Sequence, residues 1–343
     1  MYLNLAYIIE ILYNEYMKKI YLSGVKPTGN IHLGNYLGMI KPSVELLDNN
    51  PDDIFLFFIA DYHALNAGLK DIKENTYKIL ATYISFGLDP SRVCFYKQSD
   101  IGQIFELQTI LNNFAPKSLL NSSHAYKTKI EDNKENNRDI DTHINMGLYS
   151  YPILMASDIL LFNADYVPVG QDQIQHIEIA RELARRFNDK TKKILKEPEA
   201  YIQNPDSLIG IDGRKMSKSY QNEIGLYLTE KQLKKRIGQI VTDSLDKDAP
   251  KPKENNVLKI AKPFLEGKDY LSLENQLVSG LSYGEAKKIL FNNLNEFLKE
   301  PREEYNKLIQ EQSYLDSILQ EGKNKVSPFA EKGLSMVKKA LNI

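Results

Sequence analysis

Lys19-Ile20-Tyr21-Leu22-Ser23-Gly24-Val25-Lys26-Pro27-Thr28-Gly29-Asn30-Ile31-His32-Leu33-Gly34-Asn35 packs three kinds of local signal into one stretch. Lys19 to Leu22 is a short β-like run ending at Ser23-Gly24. Lys26-Pro27-Thr28-Gly29-Asn30 forces a loop, and the apolar positions from Leu33 to Leu47 recur with helical spacing. Strand, loop and helix in that order begin an alternating α/β chain. The next segment agrees: Ile54-Phe55-Leu56-Phe57-Phe58-Ile59-Ala60 is a continuous apolar run between Asp53 and Asp61, the pattern of a strand covered on both faces of a parallel sheet. A helical stretch over 72–86 and a short strand over 92–96 continue the alternation. The prediction is a doubly wound, Rossmann-like parallel sheet with ligands at the carboxyl ends of its strands.

Farther along, Ile174, Ile177, Ala180, Leu183, Ala184 and Phe187 mark another helix, with Asp172 and Gln175 placed as a capping box at its start. Lys127 to Asp141 is polar and reads as a loop. Beyond Thr229 strand-like runs become sparse, and Lys, Glu, Leu and Asn fill long helix-compatible stretches. The chain therefore divides into an appendage at 1–17, a Rossmann-like α/β domain at 18–222 and an α-helical domain at 223–343.

With 343 residues the chain has room for about two domains, and 42% hydrophobic with 26% charged residues is an ordinary globular balance. The 44 basic and 45 acidic side chains nearly cancel, so a nucleic-acid partner must be held by local patches rather than by the overall field. Lys231, Lys234, Lys235 and Arg236 form the densest basic cluster of the helical part, but such a run is more often a solvated helix face and assigns no RNA role to its members. One cysteine, Cys94, excludes an intrachain disulfide framework and a cysteine-built metal site, and fits a reducing cytoplasm. Glu10 and Glu15 interrupt the apolar stretch Tyr2–Tyr16, and no other run approaches the ~18 apolar residues a membrane span needs.

Two segments carry phosphate chemistry. In Pro27 to Asn35, Gly34 lets a nucleotide approach the backbone at the start of a helix, and His32 and Asn35 can donate hydrogen bonds to phosphate oxygens as negative charge builds. Lys215-Met216-Ser217-Lys218-Ser219, after the turn Asp212-Gly213-Arg214, offers two cations three positions apart on a loop, suited to clamping a polyphosphate. Either string alone is unspecific. Together, in this order and spacing, they resemble the two signature motifs of class I aminoacyl-tRNA synthetases.

A third region narrows the resemblance. Tyr149-Ser150-Tyr151-Pro152-Ile153-Leu154-Met155-Ala156-Ser157-Asp158 and Val167-Pro168-Val169-Gly170-Gln171-Asp172-Gln173 look like the bacterial tryptophan enzymes, as do Tyr62-His63-Ala64-Leu65, His124-Ala125-Tyr126-Lys127 and Val241-Thr242-Asp243-Ser244. The similarity extends from about Lys18 to the carboxyl terminus. It implies that Asp158 accepts the indole N–H with Met155 packing the ring, that Tyr151 and Gln173 hold the α-amino group, and that His63 lines the pocket. A carboxylate under an apolar pocket suits indole, which has one donor and no acceptor. The same resemblance places ATP on Lys26, Pro27, Thr28, Gly34, Asn35, Gly170, Asp172 and the loop Lys215, Met216, Ser217 and Lys218. His32, Asn35, Lys215, Ser217 and Lys218 are then the catalytic set, and Lys127 is a further phosphate-reaching lysine. It also implies Mg2+ carried in with ATP, no dedicated metal site, tRNA(Trp) as acceptor and a homodimer.

Three departures stand out. Asn35 replaces the second histidine of the general motif. Lys26 stands where many relatives have glutamine, and Leu22 where some place an aromatic against the indole. The nearest alternatives are a tyrosine enzyme of the same fold, a small-molecule nucleotidyltransferase, and a synthetase-like regulator without aminoacylation. Met155 ahead of Asp158 argues against the first, the Lys215 loop and helical part against the second, and the intact His32, Lys215, Ser217 and Lys218 against the third.

Overall fold

The computed structural model describes residues 18–343 except 28, 30, 68–69 and 203–207, with the side chains of residues 67 and 172 also left out. The 1–17 appendage, Thr28 and the Asp172 side chain, all named above, lie outside the described set.

Five strands form one sheet: β1 (Ile20–Val25), β2 (Ile54–Ile59), β3 (Val93–Lys97), β4 (Tyr166–Val169) and β5 (Glu199–Ile202). Their order is β3-β2-β1-β4-β5 and every pairing is parallel. The chain winds outward from β1 to β3, then returns to lay β4 on the other side of β1, so the winding reverses between β1 and β4. At such a reversal the loops leaving two neighbouring strands diverge and open a crevice at the carboxyl edge.

The apolar run in β2 explains why the sheet is buried on both sides. Successive side chains point to opposite faces, so Phe55, Phe57 and Ile59 enter one core while Leu56 and Phe58 enter the other. Each such side chain contributes roughly 1.5–3 kcal/mol on burial. β5 was not foreseen: as an outer edge it leaves Tyr201 and Ile202 exposed, so it carries no continuous apolar signal.

In the α/β half the helices are α1 (Leu33–Asn35), α2 (Lys41–Asn49), α3 (Asp61–Ala64), α4 (Ile72–Ser85), α5 (Gln103–Leu111), α6 (Lys117–Asn121), α7 (His124–Glu135), α8 (Met146–Leu160) and α9 (Ile174–Lys190). A π turn, Tyr36–Ile40, joins α1 to α2. Two expectations are corrected. Most of Lys127–Asp141 is helix α7, and the turn after it is tied down by buried Asn133, whose amide donates to Ile140 O at 3.0 Å and Thr142 O at 2.7 Å. Its polarity is that of a largely solvated helix. The capping box at α9 does not form with Gln175, whose side chain instead accepts from His124 N at 2.8 Å and donates to Ser122 O at 2.8 Å.

After β5 the described residues contain only helices and loops: α10 (Glu230–Gly238), α11 (Asn256–Ala261), α12 (Gly267–Val278), α13 (Tyr283–Phe297), α14 (Lys299–Gln310) and α15 (Gln312–Leu341). A reciprocal capping box between Thr229 and Gln232 starts α10. The 30-residue α15 runs back across the sheet. A Cβ on its Gly322 would fall 1.8 Å from Phe95 O of β3, so only glycine permits this approach.

Candidate active site

A cleft of about 1070 Å3 opens at the carboxyl ends of β1 and β4, where the winding reverses. It gathers most of the residues singled out in the sequence. Lys26, His32, Gly34 and Asn35 line it from the first loop. His63 comes from α3, and Tyr151, Met155 and Asp158 come from one face of α8. Gly170 and Gln173 follow β4, and Lys215, Met216, Ser217 and Lys218 close the mouth. Pro27 is buried beside the cleft without lining it.

At the mouth, the loop after β1 is pinned to the segment that follows the lysine loop. Leu33 N donates to Ile224 O at 2.9 Å and Leu226 N to Ile31 O at 3.1 Å. The His32 ring lies over Gly34, where an added Cβ would come 3.0 Å from Nδ1. Burial first, and the Lys218 ammonium second, push the His32 pKa down to about 4. The imidazole is therefore neutral near pH 7 and can offer a phosphate an N–H but no full charge. Asn35 Oδ1 accepts from His32 N at 3.1 Å, leaving the Asn35 NH2 as the donor for a ligand. The charges come from lysines: Lys215, Lys218 and Lys26 all face the cleft, and burial lowers the pKa of the latter two. An added Cβ on Gly29, whose φ is +62°, would lie 2.8 Å from Lys218 Nζ, so the two phosphate segments meet at that glycine.

The lysine loop is a small hairpin turning at Gly213, φ +84°. Met216, deep in the core, anchors it, and Met216 N donates to Leu208 O at 2.9 Å. Asn222, 1% exposed, is its internal brace. Asn222 Oδ1 accepts from Ser217 N at 2.8 Å, while Nδ2 donates to Asp212 Oδ1 at 2.7 Å and Lys215 O at 3.2 Å. From α10, Arg236 donates to Glu223 O at 2.7 Å and Gln221 O at 2.5 Å. One member of the basic cluster thus faces inward.

At the floor, Asp158 is fully buried. His63 Nε2 lies 3.0 Å from Oδ2, and Gln98 Nε2 donates to Oδ1 at 2.9 Å and Oδ2 at 3.0 Å. Burial raises the Asp158 pKa, and these bonds act against that rise. Tyr151 Oη is 3.0 Å from His176 Nε2, and burial pushes its phenol up to about 12. Leu22 lines the floor as an aliphatic, but Phe58 of β2 also lines it. A Cβ on Gly24 would fall 2.3 Å from the Phe58 ring, so this glycine makes room for an aromatic wall supplied by the neighbouring strand. Sequence reasoning missed Gln98, Asn222 and Phe58. Only Gln98 had a signal, its position directly after β3 at the sheet's carboxyl edge.

The cleft thus joins an apolar floor with one buried carboxylate to a mouth of lysines and amide donors. A flat apolar group with a single N–H fits one end and a polyphosphate the other.

Comparison with known proteins agrees with this division. The family model of class I tRNA synthetases (W and Y) matches residues 16–299. The tryptophan–tRNA ligase of Neisseria meningitidis is 44% identical over 331 residues, covering 95% of this chain and 98% of the relative. The crystal structure of tryptophanyl-tRNA synthetase from Campylobacter jejuni complexed with ADP and tryptophan superposes with a TM-score of 0.86 at 39% identity, over 94% of this chain and 100% of that one. Tyrosyl-tRNA synthetase from Archaeoglobus fulgidus, at 22% identity and a TM-score of 0.60 over 87% of this chain and 94% of that one, shares the fold.

Proposed function

This chain belongs to the class I tRNA synthetases that serve tryptophan and tyrosine, and from that premise we propose how its site divides the work of a tryptophan–tRNA ligase. The reaction has two steps. A tryptophan carboxylate oxygen attacks the α-phosphorus of ATP and pyrophosphate leaves. The terminal ribose hydroxyl of tRNA(Trp) then attacks the adenylate's carbonyl carbon and AMP leaves.

The observation that carries the assignment of roles is the fully buried Asp158 beneath an apolar floor. It accepts the indole N–H while Met155 and Phe58 pack the ring. Tyr151 and Gln173 hold the α-amino group, and His63 lines the pocket by bonding Asp158. Toward the mouth, Lys26 and Gly34 border the nucleotide, with Pro27 beside the cleft and Thr28 assigned to ATP from its place in the motif, and Gly170 with Asp172 takes its ribose. His32 and Asn35 donate to the phosphates. Lys215 and Lys218, with Met216 and Ser217 shaping their loop, stabilise the charge that builds on departing pyrophosphate. Catalysis on this reading is positioning plus electrostatic stabilisation.

The mouth's donor set of lysines, His32 and Asn35 suits phosphate oxygens, and among the described residues no group of three or more His, Cys, Asp or Glu side chains could hold a metal ion. Mg2+ would be carried in with ATP and would neutralise phosphate charge there. Residues 223–343 recognise the anticodon end of tRNA, the active form is a homodimer, and the enzyme works in the cytoplasm. Among the described residues no helix is long and apolar enough to cross a membrane.

Asp158→Ala tests the central role. We expect a sharply raised tryptophan KM with the ATP KM nearly unchanged. Equal activity of variant and parent across a tryptophan titration would remove Asp158 from the indole site.

A further inference from the structure

Gln98 takes no part in the chemistry above, yet it is completely buried at the base of the pocket. The 3-10 turn Gln98–Asp100 places it just past β3. Its amide NH2 straddles the Asp158 carboxylate, reaching Oδ1 at 2.9 Å and Oδ2 at 3.0 Å, and its Oε1 accepts from His63 N at 3.4 Å. That pairing fixes which way the amide points. Reversed, it would aim a carbonyl at a carboxylate and an NH2 at an N–H.

The same turn braces a second buried acid. Ser99 N donates to Asp61 Oδ1 at 3.0 Å and the Ser99 hydroxyl donates to Asp61 Oδ2. The groups that bear on Asp158 are thus His63 and Asp61 from α3, and Gln98 and Tyr96 from the β3 side. Among the described residues three hydrogen bonds reach the Asp158 oxygens, and a carboxylate accepts about four. One acceptor position is left, on a side chain that lines the cleft.

We infer that Gln98 is the specificity-determining positioning residue of the pocket: its NH2 locks the plane of the Asp158 carboxylate so that the remaining lone pair meets a substrate N–H. The inference rests on the reading of Asp158 as the indole acceptor. An unbraced carboxylate in this site could rotate or take up a proton, and either event weakens an acceptor.

The test compares tryptophan with its sulfur isostere, β-(benzothiophen-3-yl)alanine, in ATP–pyrophosphate exchange by the full-length parent and Gln98→Met, which keeps the bulk and removes the donor. We expect the parent to prefer tryptophan strongly, since a site built around a substrate N–H rejects the analogue that lacks it. Gln98→Met should reduce that preference about tenfold or more, the scale of a lost hydrogen bond to a charged group, through tryptophan KM. ATP KM should stay at the parental value, and the melting temperature should fall by no more than the loss of a buried hydrogen bond implies. A folded Gln98→Met with the parental preference would overturn the inference. If Gln98→Met does not fold, Gln98→Leu replaces it with the same expectation, because it too lacks the donor. A parent that accepts both compounds equally would overturn the Asp158 reading itself, and the inference with it.

Discussion

Asp158 and His32 show how burial sets chemistry at single residues. Both are polar groups inside the protein, and both are adapted to it in opposite ways. Asp158 keeps an acceptor's character through donors on both oxygens. His32 gives up its charge. In an unfolded chain an imidazole titrates near 6.5, whereas burial and Lys218 bring His32 to about 4 in the fold. Between those values the unfolded state binds a proton that the folded state refuses, so stability falls as the pH drops through that window. His32→Gln has no such group, and we expect its melting temperature to fall less than the parent's between pH 7 and pH 4.5. Parallel melting curves across that range would show that His32 is not desolvated.

The lysine loop shows the same economy at the level of an element. Its two lysines stand at the surface of the cleft mouth, on a backbone that is held from below. The fixing comes from Asn222, Met216 and Arg236. Asn222→Ala leaves the half-buried Ser217 N–H without its acceptor, a cost of about 1 kcal/mol or more. We expect the single-turnover rate of adenylate formation to fall on the order of tenfold to a hundredfold, with tryptophan KM close to the parent's. A parental rate would mean that the loop is ordered by its ligand alone.

Elements of this kind also mark the limit of what the sequence makes legible. Lys215 to Lys218 could be picked out because a charged string at a turn is a local pattern, and β2 because both its faces are apolar. Asn222 could not, since its meaning lies in partners 5 to 10 positions away, and Gln98 showed only its place after β3, its partner Asp158 standing 60 positions on. Phe58 was legible only as a core residue, and its second role appears once Gly24 is seen against its ring. Edge strand β5 and helix α7 failed for the opposite reason: both are largely solvated, so their composition resembles that of loops.

Over the whole molecule, the reversal of winding between β1 and β4 decides where everything else gathers. The first loop, the face of α8, the turn after β4 and the lysine loop are far apart in the chain and meet at one crevice. The last helix then crosses back against the edge strand β3, which Gly322 lets it approach closely. We expect this crevice to join tryptophan, and no other standard amino acid, to the AMP moiety of ATP. ATP–pyrophosphate exchange by the full-length chain, run with each of the standard amino acids in turn, tests it most directly. We predict exchange with tryptophan alone, and a response to tyrosine alone, or to none of them, would contradict the account.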